Sequence, residues 1–221
     1  MISRRIAVVA LAASCLFLGA CAERTPERAE ANGLHYLKVQ QYDRAVADLS
    51  YAVDKEPGRF TSRLGLGEAL IGAGKPDAAR TQLEVAYTLR PNDTEAIDAL
   101  ATAMLESGDK NAMSKFLKGL ATRNQTVDAW MRYGRFSQMA GDFDEARTAY
   151  INAAKLDKGQ TIEPQLALAY LYEEAGDLDN ALLRLRMALF LAPESEEIQE
   201  RIRFLGATPG PTFALVPLEA Q

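Results

Sequence analysis

The chain has 221 residues, 48% of them hydrophobic, with 25 basic and 30 acidic side chains and a net charge of −5. That balance argues against nucleic acid as a partner, because phosphate binding rests on clustered Lys and Arg. One histidine and two cysteines leave zinc sites and most nucleophilic mechanisms without parts, so no cofactor, no metal and no enzymatic activity are expected.

Residues 1–20 carry Arg4 and Arg5 and then an uncharged run from Ile6 to Ala20. The run is short for a membrane span, which needs about 20 apolar residues. A basic start, a short apolar core and small residues at its end read as a secretory signal that is removed. It ends Leu18-Gly19-Ala20-Cys21, which resembles the lipobox of bacterial lipoproteins. The resemblance implies diacylglycerol and an N-acyl chain on Cys21. With Ala22 following the cysteine, it also implies an outer-membrane anchor on the periplasmic face. Ala20-Cys21-Ala22 fits an ordinary signal-peptidase site as well, which would give a secreted protein; anchoring at the inner membrane is the other alternative. Cys15 leaves with the signal and Cys21 would be acylated, so no thiol remains for a disulfide. Loss of Arg4 and Arg5 moves the net charge from −5 to −7. Residues 21–26 form a tether of at most about 20 Å, which places the first folded unit close to the bilayer.

From Pro26 to Ser195 the chain repeats. The clearest unit is residues 60–93, where Leu66, Gly67 and Leu70 share one helical face and Ala79, Leu83 and Ala86 another. Gly74 suits the left-handed end of the first helix, Pro76 the first turn of the second, and Pro91 stops it. Equivalent positions are Gly33, Tyr36, Ala45, Leu49, Ala52 and Pro57 in the first copy. They are Trp130, Tyr133, Gly134, Gly141, Ala146, Tyr150 and Ala153 in the fourth, with Lys158 in place of the proline. The fifth supplies Leu168, Ala169, Tyr172, Gly176, Ala181, Leu185, Ala188 and Pro193. The third, residues 94–126, fits through Leu100, Ala101, Gly108, Ala112, Phe116 and Gly119 if it is one residue short. This pattern resembles the tetratricopeptide repeat, a helix-turn-helix of about 34 residues.

The resemblance implies an all-α, right-handed superhelical solenoid. Its five repeats would span residues 27–195, as approximately 26–59, 60–93, 94–126, 127–161 and 162–195. Gly33, Gly67, Ala79, Trp130, Gly134, Ala146, Ala169 and Ala181 would be packing positions. His35 is expected on a solvated helix face. The third repeat carries Lys110, Lys115 and Lys118, with Arg123 beyond, and reads as a loose middle repeat, a hinge or a basic contact for an acidic partner. Residues 196–206, with Ile198, Ile202 and Leu205 on one face, read as an amphipathic cap for the last repeat. The tail, residues 207–221, is expected to be extended or disordered, with Phe213 to Leu218 available to dock on the solenoid or on a partner.

In this family the remaining face of each first helix lines a partner groove. By position that face includes Leu34, Leu37 and Lys38; Leu64, Glu68 and Ile71; Asp98, Thr102 and Leu105; Met131, Arg132, Arg135 and Gln138; Leu166, Tyr170 and Glu173. Arg132 and Arg135, three apart, could clamp a carboxylate. The chaperone-binding members hold a terminal carboxylate with Lys and Asn, but Glu30, Leu34, Gly65, Glu95 and Ala99 occupy those places here. The function implied is a membrane-anchored module that binds a protein or peptide in the cell envelope. It would act as an adaptor or assembly factor similar to the pilotins of pilus and secretion systems and to outer-membrane assembly partners. The alternatives are a homo-oligomeric scaffold and a non-catalytic subunit of an envelope enzyme; the sequence leaves the oligomeric state open.

Overall fold

The computed structural model describes residues 24–220. The expected signal segment, the lipobox-like stretch and Cys21 lie outside the described residues. Among those described there are eleven α-helices and no strand. They are α1 (Pro26–Lys38), α2 (Tyr42–Lys55), α3 (Phe60–Gly72), α4 (Pro76–Leu89), α5 (Thr94–Glu106), α6 (Lys110–Asn124), α7 (Val127–Met139), α8 (Phe143–Asp157), α9 (Glu163–Glu174), α10 (Leu178–Leu191) and α11 (Glu196–Phe204). The helices form five helix-turn-helix hairpins and a terminal helix. Each hairpin packs within itself and against the next, so the core runs as a band along a solenoid.

Local chemistry sets the helix ends. Asp93, Asp109, Thr126, Asp142, Asp177 and Ser195 accept backbone N–H bonds at the starts of α5, α6, α7, α8, α10 and α11. The first helix of each hairpin ends in a left-handed residue: Gly74, Gly108, Gly141 and Gly176, but Gln40 in the first hairpin. After α3, the amides of Gly74 and Lys75 bond back to Ile71 and Leu70, each at 2.8 Å, which satisfies carbonyls that the helix end would leave open. Where a proline is missing after the second helix, Gln125 and Lys158 take left-handed angles, with φ of 50° and 55°.

Small residues set the crossings. A Cβ built on Gly33, Gly67 or Gly134 overlaps the side chain of Leu49, Leu83 or Tyr150 respectively, so only glycine lets the two helices of those hairpins approach. Ala79, Ala146, Ala169 and Ala181 are fully buried, and Trp130 is buried against Tyr133. The third repeat departs from the expected register. The buried positions of α6 are Met113, Leu117 and Leu120, while Gly119 is exposed and faces open space. They lie 34 residues after Ala79, Leu83 and Ala86, so α6 keeps the full period and the missing residue belongs to the α6–α7 turn.

The tail lies on the chain's own solenoid. The Leu215 amide donates to the Arg186 carbonyl at 3.0 Å, and Arg186 Nε donates to the Phe213 carbonyl at 2.8 Å with its guanidinium over the Phe213 ring. Arg184 pairs with Glu219 at 2.6 Å, their side chains 10% and 8% exposed. Buried Gln165 donates to the other Glu219 oxygen and accepts from Arg184. Pro217 closes against Gly159 in the α8–α9 turn.

Candidate protein-binding groove

The first helices α1, α3, α5, α7 and α9 present one row of side chains, continued by α11. Leu34, Leu37, Ile71, Thr102, Leu105, Met131, Arg132, Gln138, Leu166 and Tyr170 are half-buried there, and Arg135 is exposed. Leu64 does not belong to this surface. It is 6% exposed and part of the main core. Helix α3 packs against both α1 and α5, and Leu64 is buried in the core that they share. His35 is exposed, as a solvated face requires.

One part of the row is a cleft of about 790 Å³ between α1, α3 and α5, lined by Leu37, Lys38, Tyr42, Glu68, Ile71, Glu95 and Asp98 among others. Burial pushes the Glu68 carboxyl up to about 7, and the nearby charge of Glu95 adds to the shift. A smaller cleft of about 330 Å³ is lined by Asp98, Asp128, Met131, Arg132, Arg135 and Tyr150. A third, of about 600 Å³, lies at the α9–α11 end between Tyr170, Glu197, Glu200, Arg201 and Phe204.

The arginine pair is already engaged. Arg132 Nε donates to one oxygen of Asp98 at 2.6 Å and Arg135 donates to the other at 2.9 Å. The clamp expected for a partner's carboxylate therefore holds a carboxylate of the preceding repeat. The lysines of α6 are likewise used within the fold: Lys110 donates to the Ala140 carbonyl at 2.5 Å and Lys118 to both Glu145 oxygens at 3.0 Å. Lys115 and Arg123, which form no ion pair among the described residues, are too few to make this face a basic patch. At the far end Arg201 pairs with Glu173 and stacks over Tyr170, whose hydroxyl donates to Glu197 at 2.5 Å. The Asp98 bridges were not legible in the sequence, since nothing local links residues 34 and 37 apart. Met131, not an arginine, is the equivalent of Asp98 one unit on, so the repeat pattern carries no signal for the bridge either.

Residues 30–94 and 140–196, more than half of the chain, match the tetratricopeptide repeat family. The chain belongs to the tetratricopeptide repeat family. The stretch between the two matches is α5 to α7, the part with the degenerate third repeat, yet it folds in phase with its neighbours. No curated protein matches the chain. Among solved structures it is similar to MamA of Desulfovibrio magneticus RS-1, at 16% identity over 79% of this chain and 98% of that one, with a TM-score of 0.57. A second MamA structure aligns at 21% identity over 84% and 98%, with a TM-score of 0.56. A thermophilic tetratricopeptide repeat protein of Thermus thermophilus aligns at 20% identity over 82% and 98%, with a TM-score of 0.51. At these identities the likeness is one of fold. Tetratricopeptide repeats are protein-interaction scaffolds, and among the described residues there is no group of three or more side chains able to hold a metal.

Proposed function

We propose that this tetratricopeptide repeat protein is a lipid-anchored adaptor or assembly factor of the cell envelope, acylated at Cys21 and binding a protein segment in the row of first helices. The observation that supports it is the groove itself, a mixed apolar and charged surface with three clefts along one side of the solenoid. A solenoid gains affinity from many modest contacts along an extended partner, and confinement at a membrane raises the local concentration of that partner. Pilus, secretion and outer-membrane assembly systems are the setting that the lipobox resemblance favours.

The test places a photo-crosslinking residue at Ile71 or Met131 in the groove, and at Leu89 or Phe190 on second helices, in the full-length protein in membranes. The expected result is one discrete adduct from the groove positions only, together with palmitate label that Cys21→Ser abolishes. Equal adducts from both faces would overturn the groove, and label retained in Cys21→Ser would overturn the anchor. A homo-oligomeric scaffold is the second reading. Phe204, 81% exposed on the terminal helix, favours it, and adducts of the chain with itself alone would establish it.

A further inference from the structure

The steps between successive first helices are not alike. At α1–α3, Glu30 accepts from Ser62 and pairs with Arg59 at 3.6 Å. At α5–α7, Asp98 takes Arg132 and Arg135. At α7–α9, Gln138 donates to Glu174 at 2.6 Å, and at α9–α11 Arg201 pairs with Glu173. Only the α3–α5 step carries no such bridge among the described residues. There Glu68 faces Glu95, two groups of like charge, and the fold supplies no cation between them. Lys38, the one cation lining this cleft, is exposed and forms no ion pair with a described residue. The missing bridge coincides with the cleft of about 790 Å³, whose walls include Leu37, Tyr42, Ile71 and Ala99.

Two facing carboxylates on an apolar floor select strongly by charge. An acidic partner segment would add a third negative group to a site of low effective dielectric, and like-charge juxtaposition is the costliest mismatch an interface can contain. Among the described residues no group of three or more carboxylate, histidine or cysteine side chains could hold a metal ion, and Asp98, the other carboxylate lining the cleft, is committed to its two arginines. A basic side chain fits both parts of the site. Its aliphatic stem matches the apolar walls, and its charged head matches the two carboxylates.

On the groove reading given above, we infer that the α3–α5 step is a subsite for a lysine or arginine of the bound partner. That residue is carried beside an apolar one, with its cationic head between Glu68 and Glu95. It completes from outside the row of cross-helix bridges that the chain leaves open at this step. Ionisation of Glu68 accompanies binding, so association near neutral pH releases a proton from the site.

The test pans a random dodecapeptide library on the full-length protein and measures the recovered peptides by fluorescence anisotropy. Crosslinking from Ile71 establishes which of them occupy the groove. Groove-bound peptides are expected to be enriched in Lys or Arg next to an apolar residue, and exchange of that basic residue for norleucine should weaken binding about tenfold. Glu68→Gln/Glu95→Gln should weaken the parent peptide equally and leave the norleucine peptide unchanged, with unaltered circular dichroism showing the variant folded. Groove-bound peptides without basic enrichment, or indifferent to Glu68 and Glu95, would overturn the subsite and leave the groove standing. Recovery of no peptide that crosslinks from Ile71 would overturn the groove reading, and the subsite with it.

Discussion

A Cβ on Gly67 meets the side chain of Leu83, and Ala79, on the facing helix, is fully buried. Gly67→Leu and Ala79→Leu are therefore expected to cost about 1–3 kcal/mol each by over-packing, read as a lower urea midpoint with an unchanged slope. Glu68, one residue along, behaves in the opposite way. Its folded pKa of about 7 lies above the ordinary carboxylate value, so the fold favours the protonated form. The charged groups that line the cleft with it are Glu95, whose charge adds to the shift, Asp98 on the same helix α5, and Lys38 on α1. Stability from this residue is complete below the unfolded pKa of about 4.3 and falls as pH rises toward 7. Glu68→Gln should thus stabilise the protein by about 1 kcal/mol at pH 8, after allowance for solvent screening, and by nothing at pH 4. Equal melting temperatures at pH 8 would contradict this. At this scale the packing positions were readable because a glycine or alanine at a fixed interval has one steric reason to be there. Leu64 was not, since a leucine facing the groove and one buried in the core look identical in sequence.

The first helices end alike, but the first hairpin turns on Gln40 with φ of 58° where the others use glycine. A side chain in that conformation costs about 1–2 kcal/mol. Gln40→Gly should recover about 1 kcal/mol of it, offset in part by the looser unfolded chain, and raise the melting temperature. The third repeat shows why its register escaped the sequence. Ala112, Phe116 and Gly119 and the true set Met113, Leu117 and Leu120 are both small or apolar at helical spacing. Strict application of the 34-residue interval separates them, and it requires knowing that the lost residue sits in a turn. Turns absorb such changes at little cost because no core position moves with them.

For the whole molecule, stability is shared along a line of neighbouring contacts, so the ends decide how it frays. The tail strengthens one end by joining α10 to α9 through Arg184, Gln165 and Glu219, and by seating Pro217 against Gly159 in the α8–α9 turn. Removal of residues 207–221 should lower the melting temperature and let the last hairpin open first, seen as faster amide exchange in α9 to α11. Glu219→Ala leaves Arg184 and Gln165 short of a partner and should cost about 1–3 kcal/mol. Burial alone would raise the Glu219 carboxyl, but its bonds with Arg184 and Gln165 hold it below the usual range. The tail contact is therefore lost as pH falls through that lowered value. Five repeats and a cap were legible from periodicity; the seat of the tail was not, because Arg184 and Glu219 are 35 residues apart with no pattern joining them.

At the opposite end, Arg24 is fixed before the first helix begins. It pairs with Asp48, donates to the Ala47 carbonyl and lies over the Tyr51 ring at 4.2 Å. An acyl group on Cys21 would then be separated from a rigid point by three residues, about 10 Å of chain. Such a short leash restricts tilt as well as reach. The solenoid would rise from the bilayer as a stiff post with its first hairpin at the base, and the acid-lined cleft between α1, α3 and α5 would open just above the lipid headgroups. On that anchoring, a partner's basic residue would meet the cleft close to the membrane surface.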